Sequence, residues 1–460
     1  MILRVVARAS ALTLLPAIAA FGLIGCESED AFIPPAPPPD VSQPDVPPTP
    51  EVVTPSPSPS PTPVAQPTTQ LAAPENPDPQ VNAQVQQTLD TMANKGYPKA
   101  SQGVWMQSGE TLLANHQGTT PLPAASLTKI ATTLAVLDTF GPKHQFVTQI
   151  GHTGTLENGV INGDLVIIGD RDPFFVWEDA IALGNALTNL GIKQVTGDLV
   201  IVGSFYMNYE DNPKTSGALL RQGLNVQLWP NQAYLQYETL PDDTPQPEVS
   251  ASGLIKTVTT APANLKPLLR YSSLPVAELL KKMNQYSNNP MAEMFANMVG
   301  GAGLVSQKAA TVAGIPPAEI KLINGSGLGE ENQMSPRAAV GLFLGIQKIL
   351  QPHQMNVADV VAIVGQDEGI LRSRPLPKFA VVKSGSLYVV STLAGALPTA
   401  QNDIVWFALL NGGSYYEDFR EEQETFLNQL VSQWGAVSSL PEDLQPGLSP
   451  TSGSRIENVQ

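Results

Sequence analysis

Apolar residues recur at three- and four-residue steps through Ile130, Ala131, Leu134, Ala135 and Leu137, and Gly141-Pro142 closes the run. The pattern predicts a buried helix that begins near Ser126. Upstream, Val81 to Lys95 reads as an amphipathic helix. Between the two, Gly103-Val104-Trp105-Met106-Gln107, a turn at Ser108-Gly109 and Thr111-Leu112-Leu113-Ala114-Asn115 predict a hairpin. From Phe146 to about Val249 the texture changes to short apolar strands separated by glycine turns. There Gly163-Asp164-Leu165-Val166-Ile167-Ile168-Gly169 is echoed by Gly197-Asp198-Leu199-Val200-Ile201-Val202-Gly203. The repetition predicts paired strand units within one inserted β-rich domain, with Asp164 and Asp198 as turn residues.

Helical texture returns after Ala251. Tyr286-Ser287-Asn288-Asn289-Pro290 precedes the apolar run Met291 to Met298, with Asn289 in N-cap position and Pro290 in the first turn. Ser335-Pro336 opens another helix, from Ala338 to Leu350. Strands are expected over Lys378 to Leu387, Tyr388 to Leu397 and Ile404 to Asn411, then a helix from about Phe419 to Trp434. The resulting plan has a discontinuous main domain (81–145 and 251–436), an insert (146–250) and an unstructured tail (437–460).

The N-terminus has a different composition. Arg4 and Arg8 precede an apolar stretch that ends in Leu23-Ile24-Gly25-Cys26, the layout of an export signal over residues 1–25. Leu-Ile-Gly-Cys resembles the bacterial lipobox, in which the cysteine thiol carries lipid. Cys26 is the only cysteine of the chain, which excludes an intrachain disulfide. The plainer reading is an ordinary secretory signal, or a membrane helix with an incidental cysteine. Residues 26–80 follow as a proline-rich linker: 18 of the 43 prolines fall between Ala31 and Gln80, too little apolar surface to fold. Its expected role is reach. The net charge of −16 is partly local to this stretch, since no Lys or Arg lies between Cys26 and Lys95. No basic patch points to nucleic acid.

Candidate chemistry begins with Ser126 and Lys129. One helical turn apart, they share a face, and a lysine with a lowered pKa could take the serine proton. Taken alone, Ser-x-x-Lys is better read as a serine N-cap followed by an ordinary surface lysine, since the spacing occurs by chance in most chains of this length. Two further motifs follow in order: Ser287-Asn288-Asn289 on a loop before a helix, and Lys383-Ser384-Gly385 on a strand. Three such motifs, each in its fitting context, make a constellation.

At this point the chain resembles the penicillin-binding serine D,D-peptidases, and more narrowly the low-molecular-mass D-alanyl-D-alanine carboxypeptidase/endopeptidase family with extra domains between the first two motifs. The resemblance spans roughly Gln102 to Leu430 and includes Asn324-Gly325-Ser326-Gly327-Leu328 and Gly369-Ile370-Leu371. It implies an α+β fold, a penicillin-binding/serine β-lactamase-like transpeptidase domain with an antiparallel sheet flanked by helices. It also implies Ser126 as nucleophile, Lys129 as proton acceptor, Ser287 as proton relay, Asn289 as a substrate-backbone ligand and Lys383 as a positive charge. Ser384, Gly385 and Ser386 would bind substrate, with the N–H groups of Ser126 and Ser386 as oxyanion hole. Peptidoglycan stem peptides would be substrates, β-lactam antibiotics covalent inhibitors, and the membrane a partner through lipid at Cys26.

No metal or organic cofactor is implied. His116, His144, His152 and His353 show no ligand spacing, and no Gly-x-Ser-x-Gly elbow is present. The chain departs from the family pattern in three places. Ser384 replaces the usual threonine but keeps the hydroxyl, Asn324 replaces an acidic residue, and the short interval from Ser126 to Ser287 implies a reduced or missing accessory domain. A serine β-lactamase shares the chemistry, and a catalytically silent envelope-binding protein is the alternative from another class.

Overall fold

The computed structural model describes residues 70–459. Order begins before the expected end of the linker at residue 80. Ala72 is buried, and its N–H donates to Gln107 Oε1 at 3.1 Å while Gln107 Nε2 donates to the Gln70 carbonyl at 2.8 Å. Leu71 and Ala72 enter the apolar cluster that also holds α2. Helix α1 (Pro79–Asn94) is capped by Asp78, whose Oδ1 accepts from Gln80 and Val81 N–H, and it buries Val81, Val85, Leu89 and Met92 along one stripe.

A five-stranded antiparallel sheet follows the order Val381–Leu387, Val390–Pro398, Ile404–Gly412, Gln102–Ser108, Thr111–His116. The chain termini of this part thus meet at the sheet centre, where Gln102–Ser108 pairs with Ile404–Gly412. Alternation divides its faces. Val381, Ala394, Ala396, Trp406, Ala408 and Leu410 join the cluster that holds α2 (Thr128–Phe140). Val382, Leu393, Leu397, Val405, Phe407 and Leu409 pack with α1 on the other side. From Thr128 to Leu137 helix α2 is buried without a break, so Thr128, Lys129, Thr132 and Thr133 must find partners inside the protein.

After α2 the chain builds a second sheet, ordered Ile255–Val258, Leu199–Ser204, Leu165–Asp170, Val147–His152, Lys266–Ser272, Ile456–Asn458. The two copies of the repeated phrase lie side by side, parallel and in register, with Leu165 opposite Leu199 and Gly169 opposite Gly203. Asp164 Oδ1 accepts from Asp198 N–H at 2.8 Å, and Asp198 Oδ1 accepts from Leu254 N–H at 2.7 Å. Both aspartates act as turn residues.

Three expectations for this region are corrected. It is mixed rather than β-rich, for α3 (Trp177–Asn189), α4 (Pro213–Gly223) and α5 (Asn231–Tyr237) cover its sheet. Ala180, Ile181, Leu183 and Leu187 carry the three- and four-residue spacing that marks α3. The insert also extends past residue 250, because Lys266–Ser272 pairs with Val147–His152. Finally, the tail 437–460 is built in as far as it is described: Leu440 and Leu444 are buried, and Ile456–Asn458 forms the last strand of the second sheet. Its anchors are distant polar groups, which periodicity cannot reveal. Asp359 accepts from Gly447 and Leu448 N–H, and Arg455 bonds Asp179 and Tyr271.

The chain returns to the first unit through α6 (Val276–Gln285), α7 (Asn289–Val299), α8 (Ala302–Ala313) and α9 (Pro336–Leu350), and α10 (Tyr416–Trp434) closes it beside α1. Ser335 caps α9, accepting from Ala338 N–H at 2.9 Å.

Candidate active site

Ser126 sits on a short 3-10 turn, Ala125–Leu127, that runs directly into α2. Ala125, just before it, has φ of 47°, a left-handed conformation that costs an alanine energy and sets the direction of the turn. Lys129 follows one turn later, fully buried, with Nζ 3.0 Å from Ser126 Oγ. The same nitrogen lies 2.7 Å from Asn289 Oδ1 and 2.7 Å from the Ser326 carbonyl oxygen. Those two oxygens can only accept. A neutral amine therefore gives both its hydrogens to them and turns its lone pair toward the serine hydroxyl. Burial lowers the Lys129 pKa to about 7, against the upward pull of the Glu293 carboxylate.

Asn289 reaches Lys129 because it is not the helix cap. Asn288 takes that position, its Oδ1 accepting from Met291 N–H at 2.9 Å, and Asn289 becomes the first residue of α7 with its side chain free to point inward. This corrects the sequence expectation. In a pair of adjacent asparagines before proline either can cap, and the pull of the buried amine decides.

Lys383 approaches from the edge strand Val381–Leu387. Its Nζ donates to Ser287 Oγ at 3.0 Å and to the Ser384 carbonyl at 2.6 Å. Burial, and after it the charge of Lys129, holds the Lys383 amine well below its ordinary pKa. Ser287 has φ of 53°, so a second strained residue marks the site. Gly385 explains how strand and serine turn come so close. A Cβ there would lie 2.7 Å from Ser126 N and 2.4 Å from Thr392 Oγ1. Ser384 and Ser386 alternate with Lys383 and Gly385 along the strand, and Ser386 Oγ accepts from Arg420 Nη2 at 3.0 Å.

Sequence reasoning missed what holds the Ser326 carbonyl. Glu293 Oε2 accepts from Gly325 N–H at 3.0 Å and its Oε1 from Ser326 N–H at 2.9 Å, which fixes the loop from Asn324 to Leu328. Asn324 Oδ1 accepts from Gly327 N–H at 2.8 Å, a turn contact that needs no charge. The available signal was spacing, since Glu293 stands four residues after Asn289 on one helix. Cys26 lies outside the described residues. Among the described residues no group of three or more His, Cys, Asp or Glu side chains could hold a metal ion.

Comparison with known proteins gives the family. The sequence matches the D-Ala-D-Ala carboxypeptidase 3 (S13) family over residues 85–223 and 220–433. The chain belongs to this family. S13 membership makes it a hydrolase of the serine peptidase class. A curated relative, D-alanyl-D-alanine carboxypeptidase DacB of Haemophilus influenzae, is 28% identical over 99 residues, a match to 22% of this chain and 21% of that protein. The match thus spans about a fifth of the relative's length.

Two solved structures are similar over most of the chain. A predatory endopeptidase from Bdellovibrio bacteriovorus, in complex with an immunity protein, aligns with 78% of this chain and 99% of its own at 20% identity and a TM-score of 0.64. Penicillin-binding protein 4 from Haemophilus influenzae aligns with 76% of this chain and 99% of its own at 18% identity and a TM-score of 0.56. At such identities the likeness establishes the fold, an α+β arrangement with an insert. The same Bdellovibrio endopeptidase is also known acylated by penicillin G.

Proposed function

We propose that this protein is a D-Ala-D-Ala carboxypeptidase, able also to cut D,D cross-links, that acts on peptidoglycan stem peptides through an acyl-enzyme on Ser126. The observation that carries the reading is the triple contact of the Lys129 amine, which leaves a lone pair for the Ser126 hydroxyl. Ser126 Oγ attacks the penultimate D-Ala carbonyl as its proton passes to Lys129. Ser287, hydrogen-bonded to Lys383, relays a proton to the leaving amine, and D-alanine departs. Water then attacks the ester by the reverse route. The N–H groups of Ser126 and Ser386 stabilise the oxyanion in both steps. Asn289 Nδ2 is left to bond the substrate backbone while its Oδ1 holds Lys129. An extended peptide can add beside the edge strand, whose partner on that side is a single bridge from Ile363 to Val381 among the described residues. Ser384 and Ser386 supply hydroxyls to the substrate carboxylate, and β-lactams would acylate the same serine.

The reading is tested by incubation with purified peptidoglycan fragments. Free D-alanine, cleaved cross-links, or both are expected, and their ratio gives the balance of activities. Absence of both products would reject it.

A second part concerns location. Arg4 and Arg8, the apolar run and Cys26 support a cleaved lipoprotein signal, lipid on Cys26, and a proline-rich tether that holds the enzyme in the cell envelope outside the cytoplasm. In this scheme the peptidase domain is discontinuous around an accessory domain that starts near residue 146 and ends near Ser272. Cys26→Ser is expected to move the protein from the membrane fraction to the soluble one. Retention on membranes would reject the anchor.

A further inference from the structure

Ser287 holds a place at the end of α6 that glycine usually fills. Its N–H donates to the Asn284 carbonyl at 3.3 Å, and the next N–H, that of Asn288, donates to the Met283 carbonyl at 2.9 Å. This pair of bonds closes a helix in the Schellman arrangement, in which the first residue beyond the cap is left-handed. With Tyr286 as cap that residue is Ser287, and its φ of 53° is a conformation that costs a side chain energy. The arrangement persists only while the last turn of α6 is held from outside.

Asn284 provides the hold. The residue is buried, and its Nδ2 donates to Thr133 Oγ1 and to the Val360 carbonyl, both at 2.9 Å. Thr133 stands one turn beyond Lys129 on α2. One residue thus accepts the Ser287 N–H through its backbone and ties that backbone to the helix of Lys129 through its side chain. Its Oδ1 is buried without a hydrogen-bond partner, which is unfavourable. A leucine of similar shape would avoid that cost, so the amide is of use here only for its two N–H bonds. What those bonds locate is a hydroxyl, for Ser287 Oγ accepts from Lys383 Nζ at 3.0 Å. A displacement of about 1 Å at such a contact can lower a rate on the order of a hundredfold.

We propose that Asn284 is the positioning residue of the proton relay: by fastening the end of α6 to α2 it keeps Ser287 left-handed and within reach of the leaving amine. This deepens the peptidase reading and rests on it.

The expected effect is selective, because an amine leaves only with a proton and a thiolate leaves without one. The test therefore compares, on the full-length protein, a peptide that ends in D-Ala-D-Ala with the thioester in which D-thiolactate replaces the last residue. Asn284→Leu should lose about ten- to a hundredfold in kcat/KM on the peptide and little on the thioester. Thr133→Val removes one of the two bonds at nearly constant shape and should fall in the same selective way, by less. Thr133→Ser keeps the hydroxyl and should stay close to wild type. The threonine pair decides the matter alone if Asn284→Leu does not fold. An equal fall on both substrates, the sign of a merely structural role, would overturn the proposal, as would unchanged rates on both. A wild-type protein inert toward both substrates would overturn the peptidase reading itself, and this proposal with it.

Discussion

Asn289 and Glu293 lie one turn apart on α7 and both act on the same amine. Asn289 bonds Lys129 directly at 2.7 Å, while Glu293 clamps the N–H groups of Gly325 and Ser326 so that the Ser326 carbonyl reaches it at 2.7 Å. One helix thus provides both hydrogen-bond acceptors of the buried lysine, one by side chain and one through a loop.

Glu293→Gln tests that relay. A glutamine keeps the shape but turns a donor toward one of the two backbone N–H groups, leaving it unpaired. Loss of such a bond should slow penicillin acylation by about tenfold or more. The charge that pulls the Lys129 pKa upward is also removed, so the acylation–pH profile should shift to lower pH. An unchanged rate and profile would show that the loop is held by other contacts.

Lys129 also leaves a mark on stability. Its pKa is about 7 when folded and 10.5 ordinarily, so between these values the unfolded chain binds more protons. Stability from this group is therefore present above 10.5 and lost as pH falls through about 7. Urea unfolding from pH 7 to 10 should show a rise for wild type that is smaller in Lys129→Met. Parallel profiles would contradict the depressed pKa.

Asp172 has the opposite sign. Buried beside Asp179, with one oxygen unpartnered, it is pushed from 3.8 to about 7, first by burial and then by the Asp179 charge. The folded state holds the proton more tightly, so stability is full below 3.8 and falls as pH rises through about 7. Asp172→Asn should stabilise the protein at pH 8 by about 1–3 kcal/mol and give little at pH 4. Thermal melts at the two pH values would check it, and equal shifts at both would refute it.

Much of this arrangement was legible in the sequence. The sheet strands and α1, α2 and α10 carry clean periodicities, the third motif lies on its strand, and the first two lie at helix starts, with Ser126 on the 3-10 turn before α2 and Asn289 as the first residue of α7. The misses share one cause, that nothing local encodes them. The last strand joins the second sheet beside Arg455, which is held by Asp179 and Tyr271, 276 and 184 residues upstream. Asn288 rather than Asn289 caps α7 because a buried lysine claims the other. Glu293 looks like a surface residue on a helix until the loop from Asn324 to Leu328 folds over it. The insert was taken as strands because its twin apolar phrases dominate the eye, whereas α4 is marked mainly by Asn212-Pro213 at its start.

The tail makes its own prediction. Arg455 bonds the buried Asp179 and the Tyr271 hydroxyl. Arg455→Ala would leave the buried Asp179 without its ion-pair partner, a change that costs about 3–5 kcal/mol when a buried pair is broken. Proteolysis should then cut first in the second sheet, near Lys266–Ser272. Wild-type resistance in the variant would show that the tail only rests on the surface.

The central claim is that the Ser126 hydroxyl, activated by an unprotonated Lys129, becomes an ester. Peptide mass mapping after brief exposure to a penicillin tests it most directly. A mass increase equal to the whole penicillin on the peptide that contains Ser126, abolished in Ser126→Ala and rising in rate as pH increases through about 7, is the expected result. An adduct on any other residue, or none at any pH, would contradict the account.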